Sequence, residues 1–424
     1  MKFGKNLAKI LYFLYANAKM PLFFGRNFVG DKMFRKILVS SIFALGVPLF
    51  AMEVYKGKNS SLRVFGTLNT AIGYGNVAHY TGANPSASAI YGQSKHRFMI
   101  GVQKNSKFGV GFNIGGLFGE ARLGLMESPV YKGGSGTTPN FRRLYLGYDF
   151  GSGGALLIGK NKLPSSLGGF ITDIFNAEGK LRGFGGSSTN TRRFQVQYSV
   201  AGFEMAISNN DANLTKTTTK AIPRFSLAYQ YLSAKLLTRL TASYTCYGYC
   251  GGVDKNSTNS KHIAYSAFGI KPIFGNSYLS LVLHYGLNTH LVGEHRLYIN
   301  PTIQKEIRSI GNLYLINNQN ALQPIGTGNI QIFGAASEFG HSFGIVGLKI
   351  GLGYQLATSY HGTQGKYDKL HSYGAYLQVP LTFNQYVALI SQVGALGTAQ
   401  KDLAQNTTIM NLNTMAMMLL KLSF

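Results

Sequence analysis

From residue 61 onward, the chain alternates apolar and polar residues in stretches of about ten, the length of a strand that crosses a membrane. In the first stretch, Leu62, Val64 and Leu68 share one parity, and Arg63 and Thr67 share the other. Successive side chains of a β-strand point to opposite faces. The pattern therefore predicts strands with one apolar face for lipid and one polar face for water.

The stretches are separated by gaps that alternate between long and short. Sixteen strands are predicted, near 61–75, 95–104, 107–125, 139–149, 155–161, 191–200, 203–209, 222–233, 236–246, 261–271, 277–288, 326–338, 343–357, 371–381, 386–396 and 410–424. The short gap after the second strand is Asn105-Ser106. Short periplasmic turns and long outer loops are typical of outer-membrane barrels. The fold class is therefore all-β, a transmembrane antiparallel β-barrel of about 16 strands. Part of 289–325 could raise the count to 18.

Composition excludes the two main alternatives to a barrel. Charged residues make up 13% of the chain, against about 25% in soluble domains. Mean hydropathy is +0.02, and no stretch after residue 51 approaches the ~20 apolar residues of a membrane helix. Aromatic residues reach 13% and there are 53 Gly, although Trp is absent. Few charges and many aromatic residues favour strands that meet lipid.

The N-terminal region predicts export. Residues 33–36 are a basic start, 37–50 form a short apolar core, and Ala51 is a small residue at which cleavage could fall. Residues 1–51 are therefore interpreted as an N-terminal extension plus a signal peptide at about 33–51, and 52–424 as the barrel. Residues 1–32 either precede a true start at Met33 or extend the signal.

The charge balance then indicates which partners the chain meets. The net charge is +26. Residues 1–51 hold eight of the 41 Lys and Arg and one of the 15 acidic residues, which leaves 33 basic and 14 acidic side chains, or +19. An exported protein does not readily meet nucleic acid. Anionic lipid headgroups and anionic solutes are the expected counterparts.

The end of the chain and the segment after the fifth strand carry a family resemblance. Leu420, Leu422 and Phe424 end a period-two pattern on an aromatic residue. The first strand begins Ser61-Leu62-Arg63-Val64-Phe65-Gly66-Thr67-Leu68, and the later segment contains Gly169-Phe170-Ile171-Thr172-Asp173-Ile174-Phe175 followed by Gly183-Phe184-Gly185-Gly186 and Arg192-Arg193-Phe194. Over residues 60–210 and the last strand, the chain resembles the Gram-negative general porins. Beyond residue 210 no further match precedes the last strand.

The resemblance implies a loop, 162–189, that folds inward and narrows a pore. Charged side chains at the narrowest point set the selectivity of a channel. The candidates on the loop are Asp173, Glu178, Lys180 and Arg182, with pinning of the loop as the alternative role. Strand parity puts four arginines on the water face: Arg63, Arg97, Arg143 and Arg193. An arginine facing lipid would cost about 2–4 kcal/mol at the midplane.

The predicted function is a passive outer-membrane channel for small hydrophilic solutes and ions, with a preference for anions. The resemblance implies a homotrimer in contact with outer-membrane lipid and lipopolysaccharide. The alternatives are a substrate-specific channel, or a barrel-anchored adhesin that binds through the long segment 289–325. No Gly-Lys-Ser/Thr and no His-Asp-Ser run occurs, and no enzyme activity, cofactor or metal is expected. Cys246 and Cys250 could form a disulfide in an exported protein.

Overall fold

The fold is described from a computed structural model of the chain. The described residues are 52–82, 95–103, 105–124, 140–175, 181–186, 192–209, 222–247, 261–292, 297–300, 305–306, 314–316, 322–324, 329–361, 366–402 and 407–424. The chain divides into one unit at 1–49 and a second at 50–424. The predicted signal peptide lies outside the described residues and stays a prediction.

Sixteen antiparallel strands close into one barrel. Their bounds are β1 (Ser60–Gly82), β2 in two halves (Lys95–Val102 and Lys107–Ile114), β3 (Leu117–Gly124), β4 (Asn140–Asp149), β5 (Ala155–Lys162), β6 (Arg192–Val200), β7 (Phe203–Ser208), β8 (Arg224–Leu232), β9 (Leu236–Tyr247), β10 (Lys261–Phe274), β11 (Ser277–Leu287), β12 (Ile330–Phe343), β13 (Val346–His361), β14 (Lys366–Thr382), β15 (Val387–Asp402) and β16 (Thr407–Ser423). Each strand pairs with the next in sequence. The predicted fold class is confirmed.

The barrel closes between its first and last strands. β1 pairs with β16 from Thr67 opposite Ser423 to Gly82 opposite Thr408. The backbones of Gly66 and Phe424 exchange two hydrogen bonds, of 2.7 and 3.0 Å. A short strand, Met52–Lys56, pairs with the start of β1 beyond this point. The terminal aromatic residue therefore lies at the seam of the barrel.

The structure corrects the prediction for the second and third strands. Asn105-Ser106 is not a turn. The two halves of β2, before and after this dipeptide, both pair along the same edge of β1. The turn lies instead at Gly115-Gly116, between Ile114 and Leu117. Both glycines have positive φ, 56° and 92°, as the tight two-residue turns of β-hairpins require. The predicted turn at Asn105-Ser106 was wrong, and the turn at Gly115-Gly116 replaces it. The number of barrel strands is therefore still sixteen.

The outer face of the barrel is apolar. Exposed aliphatic and aromatic side chains alternate with buried or lumen-facing ones along the strands, for example Leu144, Leu146, Ile158, Phe194, Val196, Leu227, Leu240, Leu281 and Leu352. Aromatic residues near the strand ends are also exposed, including Tyr74, Tyr148, Phe150, Tyr229 and Tyr231. An apolar band bordered by aromatic residues is the surface that a lipid bilayer solvates.

The segment 289–325 and two short helices lie outside the barrel strands. Within 289–325, the described strands form two separate two-stranded sheets, Tyr298–Asn300 with Lys305–Glu306 and Tyr314–Ile316 with Leu322–Pro324. They add no strand to the barrel, so the 18-strand alternative is not observed among the described residues. Short 3-10 helices occur at Gly151–Gly153 and Thr289–Val292. No helix in the described part of the chain combines the length and apolar character that a membrane crossing needs.

Candidate functional site

The segment that follows β5 folds into the barrel. Its described parts, 163–175 and 181–186, are named the inward loop here. Most of its apolar side chains are buried, including Leu167, Phe170, Phe175, Leu181 and Phe184. They form one core with lumen-facing residues of β10 to β16, such as Tyr265, Ala336, Met415 and Met417. The inward loop therefore lies mainly against the wall that β10 to β16 form, and it also touches β1 at Ala71.

A buried carboxylate in the wall binds the middle of the inward loop. Glu338 on β12 is 0% exposed. It accepts hydrogen bonds from the Thr172 backbone N–H at 2.7 Å and from the Thr172 hydroxyl at 2.8 Å. The hydroxyls of Tyr278 and Tyr376 also donate to it. Four donors satisfy a charge whose burial would otherwise be costly.

Neutral side chains fix the backbone on either side of Asp173. The Gln378 amide donates to the Thr172 carbonyl at 2.9 Å, and the Gln392 side-chain oxygen accepts from the Ile174 N–H at 3.0 Å. Gln103, from the break in β2, donates to the Ile174 carbonyl at 3.1 Å. Backbone groups that leave regular structure need such partners when buried.

Both ends of the inward loop are also held. Arg239 on β9 donates to the Pro164 carbonyl at 2.9 Å and forms an ion pair with Glu204 at 2.9 Å. At the other end, a ring nitrogen of His284 lies 2.9 Å from the Gly185 carbonyl oxygen. Gly353 on β13 lets the loop approach closely, because a Cβ there would lie 2.2 Å from the Phe184 carbonyl oxygen.

The four predicted loop residues have different placements. Asp173 is 4% exposed, and its carboxylate accepts hydrogen bonds from the N–H groups of Phe175 and Leu181. These bonds join the two described parts of the inward loop, which is the pinning role. Arg182 is also buried, and its backbone forms an isolated β-bridge with Gly186. Glu178 and Lys180 lie outside the described residues.

The part of the barrel wall that β1 to β6 form carries several lumen-facing basic residues. Arg63 and Arg143, which parity assigned to the water face, lie on β1 and β4 in the lumen-facing phase. Arg193 has the same phase on β6, opposite Asn161. Arg97 lies opposite Gly75 in β1, but its side chain lies outside the described residues.

Three further basic residues join Arg63 and Arg143, and the sequence analysis missed them. They are Lys107 on β2, Arg122 on β3 and Arg142 on β4. Arg122 could have been found by parity, had the turn at Gly115-Gly116 been recognised. Arg142 and Arg143 both face the lumen because β4 has a bulge opposite Arg122 and Leu123. The set Arg63, Lys107, Arg122, Arg142 and Arg143 is named the basic wall.

One carboxylate lies within the basic wall. Glu120 is 5% exposed and forms ion pairs with Arg122 at 2.7 Å and Arg143 at 3.5 Å. The guanidinium groups of Arg122 and Arg63 lie 4.9 and 5.7 Å from the centre of the Phe65 ring, within the range of cation–π contacts. Five cations against one carboxylate leave this surface with a net charge of +4.

The predicted disulfide and the possibility of a metal site concern other parts of the chain. Cys246 is buried and disulfide-bonded. Cys250 lies outside the described residues, so the pairing of the two stays a prediction. Among the described residues, no three His, Cys, Asp or Glu side chains are placed to hold a metal ion.

Comparisons with known proteins agree on the fold. The structure is similar to the outer-membrane channel DcaP of Acinetobacter baumannii, with a TM-score of 0.56 and 12% identity over 87% of this chain and 99% of that one. It is also similar to an anion-selective porin from Comamonas acidovorans, with a TM-score of 0.52 and 15% identity over 86% and 100%. A third similar structure is a loop-deletion mutant of OmpT, an outer-membrane protein of Vibrio cholerae, with a TM-score of 0.50 and 13% identity over 87% and 100%.

No family model and no curated protein matches the sequence. The fold is nevertheless that of the Gram-negative outer-membrane porins, as the resemblance in the sequence implied. A closed antiparallel barrel with an apolar outer band is built for an outer membrane. The predicted localisation follows from this architecture.

Proposed function

We propose that this protein is a passive diffusion channel of the outer membrane that prefers anions. The observation that carries the proposal is the basic wall, which faces the lumen on β1 to β4. Fixed charges around a narrow aqueous path raise the local concentration of ions of opposite sign. A net charge of +4 on one wall favours anions over cations.

The other side of the lumen supports the same sign. The Lys349 ammonium donates to the Thr172 hydroxyl at 3.0 Å, and the Lys271 ammonium donates to the Gly169 carbonyl at 3.4 Å. Asp173, the carboxylate among the described residues of the inward loop, is buried. Glu338 is buried as well, on β12, so neither carboxylate lies against the basic wall.

The test is the reversal potential across a planar bilayer that separates unequal concentrations of KCl. We expect a potential of the sign that chloride permeation produces. Replacing Arg63 and Arg122 together by Ala should move the potential toward zero, because two of the five cations are lost. A wild-type channel that passes potassium in preference to chloride would overturn the anion preference.

A homotrimer in contact with outer-membrane lipid and lipopolysaccharide is part of the same proposal. It is supported by the sequence resemblance to the general porins and by the apolar outer face. Conductance that appears in steps grouped by three would support it. Single independent steps at all protein concentrations would contradict it.

A further inference from the structure

A β-bulge in β4 gives the basic wall an unusual geometry. Phe141 and Leu144 are 48% and 51% exposed on the outer face. Regular alternation would allow one lumen-facing residue between two outward ones. The bulge leaves room for two, so Arg142 and Arg143 both face inward. A Cβ on Gly124 would lie 2.5 Å from Arg142 Cδ, so this arginine lies directly over the glycine of the neighbouring strand.

The two arginines join other cations at the same height of the barrel. Arg143 lies opposite Arg122, and Gly124 lies opposite Lys107. Lys107 is close enough to Arg122, Arg142 and Arg143 to interact electrostatically with all three. Like charges brought together away from bulk water repel one another strongly. Glu120 pairs with Arg122 and Arg143, so one carboxylate lies among four cations in this described part of the wall.

We infer that Lys107, Arg122, Arg142 and Arg143 form a binding subsite for a phosphate group, free or esterified, along the anion pathway. A doubly charged anion offsets the repulsion among these cations more than chloride does. Guanidinium groups match the oxygens of phosphate with paired, charge-assisted hydrogen bonds. The cations come from three adjacent strands around one point, which suits a compact dianion. This inference rests on the anion-channel function proposed above.

The experiment measures block of chloride current by phosphate. Channels purified from outer membranes are recorded in KCl at about pH 7, where the lysine and arginine side chains are cationic and a substantial share of the phosphate is doubly charged, while inorganic phosphate is added. The subsite predicts a saturable fall in chloride current. Arg142→Ala should raise the half-blocking concentration about tenfold, since a hydrogen bond to a charged group is lost. Glucose 6-phosphate, added in the same way, shows whether the site takes phosphate esters as well as the free ion.

The matched control is Arg192→Ala. Arg192 has the outward phase on β6, next to Phe194, and its replacement should leave the half-blocking concentration unchanged. Absence of block, with an anion-selective reversal potential retained, would overturn the phosphate subsite and leave the proposed function standing. Equal block in the wild type and in Arg142→Ala would also overturn the subsite. A cation-selective wild type would overturn both.

Discussion

At the scale of single residues, two buried carboxylates position the inward loop. Asp173 binds N–H groups of the loop itself, and Glu338 binds Thr172 from the barrel wall. Each is satisfied by several donors, as a buried charge requires. Their roles differ, because Asp173 shapes the loop whereas Glu338 sets where the loop lies in the lumen.

Replacing Glu338 by Ala should release the middle of the inward loop. Four donors would lose their acceptor, and a buried donor left without a partner typically costs about 1–3 kcal/mol. The pairing of the barrel strands does not depend on these bonds, so the barrel should still form. We expect larger and noisier single-channel currents in a planar bilayer.

Ser280→Ala is the matched control for this change. Ser280 lies opposite Glu338 in the pairing of β11 with β12 and is equally buried. Its hydroxyl makes no hydrogen bond within the described part of the chain. Its currents should match the wild type. Glu338→Ala currents that are as quiet as those of the control would show that the loop does not depend on Glu338.

Some of these residues could be identified from the sequence and others could not. Asp173 was identified because it lies in a segment that resembles the porin loop. Glu338 lies in a strand whose alternation identifies its phase but not its partner, which is distant in sequence. Arg142 could not be assigned by parity, because a bulge reverses the phase and has no strong sequence signal here.

At the scale of elements, the alternation of apolar and polar residues was enough to predict most strands. It works because one face of each strand meets lipid and the other meets water or the inward loop. The turn at Gly115-Gly116 was missed because the alternation continues on both sides of it. The landing site of the inward loop was also unpredictable, since it depends on contacts with several strands that are distant in sequence.

The seam between β1 and β16 offers a test at this scale. A Cβ on Gly66 would lie 2.2 Å from the Phe424 ring, so Gly66→Leu should displace that ring. Overpacking of this kind costs about 1–3 kcal/mol. We expect the folded band on a detergent gel to convert to the unfolded band at a lower temperature than in the wild type.

Gly168→Leu is the control for the seam. A Cβ on Gly168 would meet no atom within 4 Å, so its conversion temperature should stay at the wild-type value. If Gly66→Leu also converted at that temperature, the terminal ring would have no part in closing the barrel.

At the scale of the whole barrel, two apolar surfaces lie apart from one charged path. The outer surface meets lipid, and the apolar core of the inward loop covers the wall that β10 to β16 form. The basic wall on β1 to β4 remains as a charged lining of the lumen. The proposed anion preference follows from this arrangement. The net charge of the chain alone would not show that positive charge lines the lumen.

The proposed channel requires that ions pass between the basic wall and the inward loop. The most direct test is modification of single introduced cysteines by an anionic, water-soluble thiol reagent during bilayer recording. Arg63→Cys places the thiol on the basic wall. Ala336→Cys places it in the same lumen-facing phase on β12, where Ala336 is 2% exposed within the core of the inward loop.

The reagent should reduce the current through Arg63→Cys and leave the current through Ala336→Cys unchanged. Equal rates of modification at both positions, or modification at Ala336→Cys alone, would contradict the pathway.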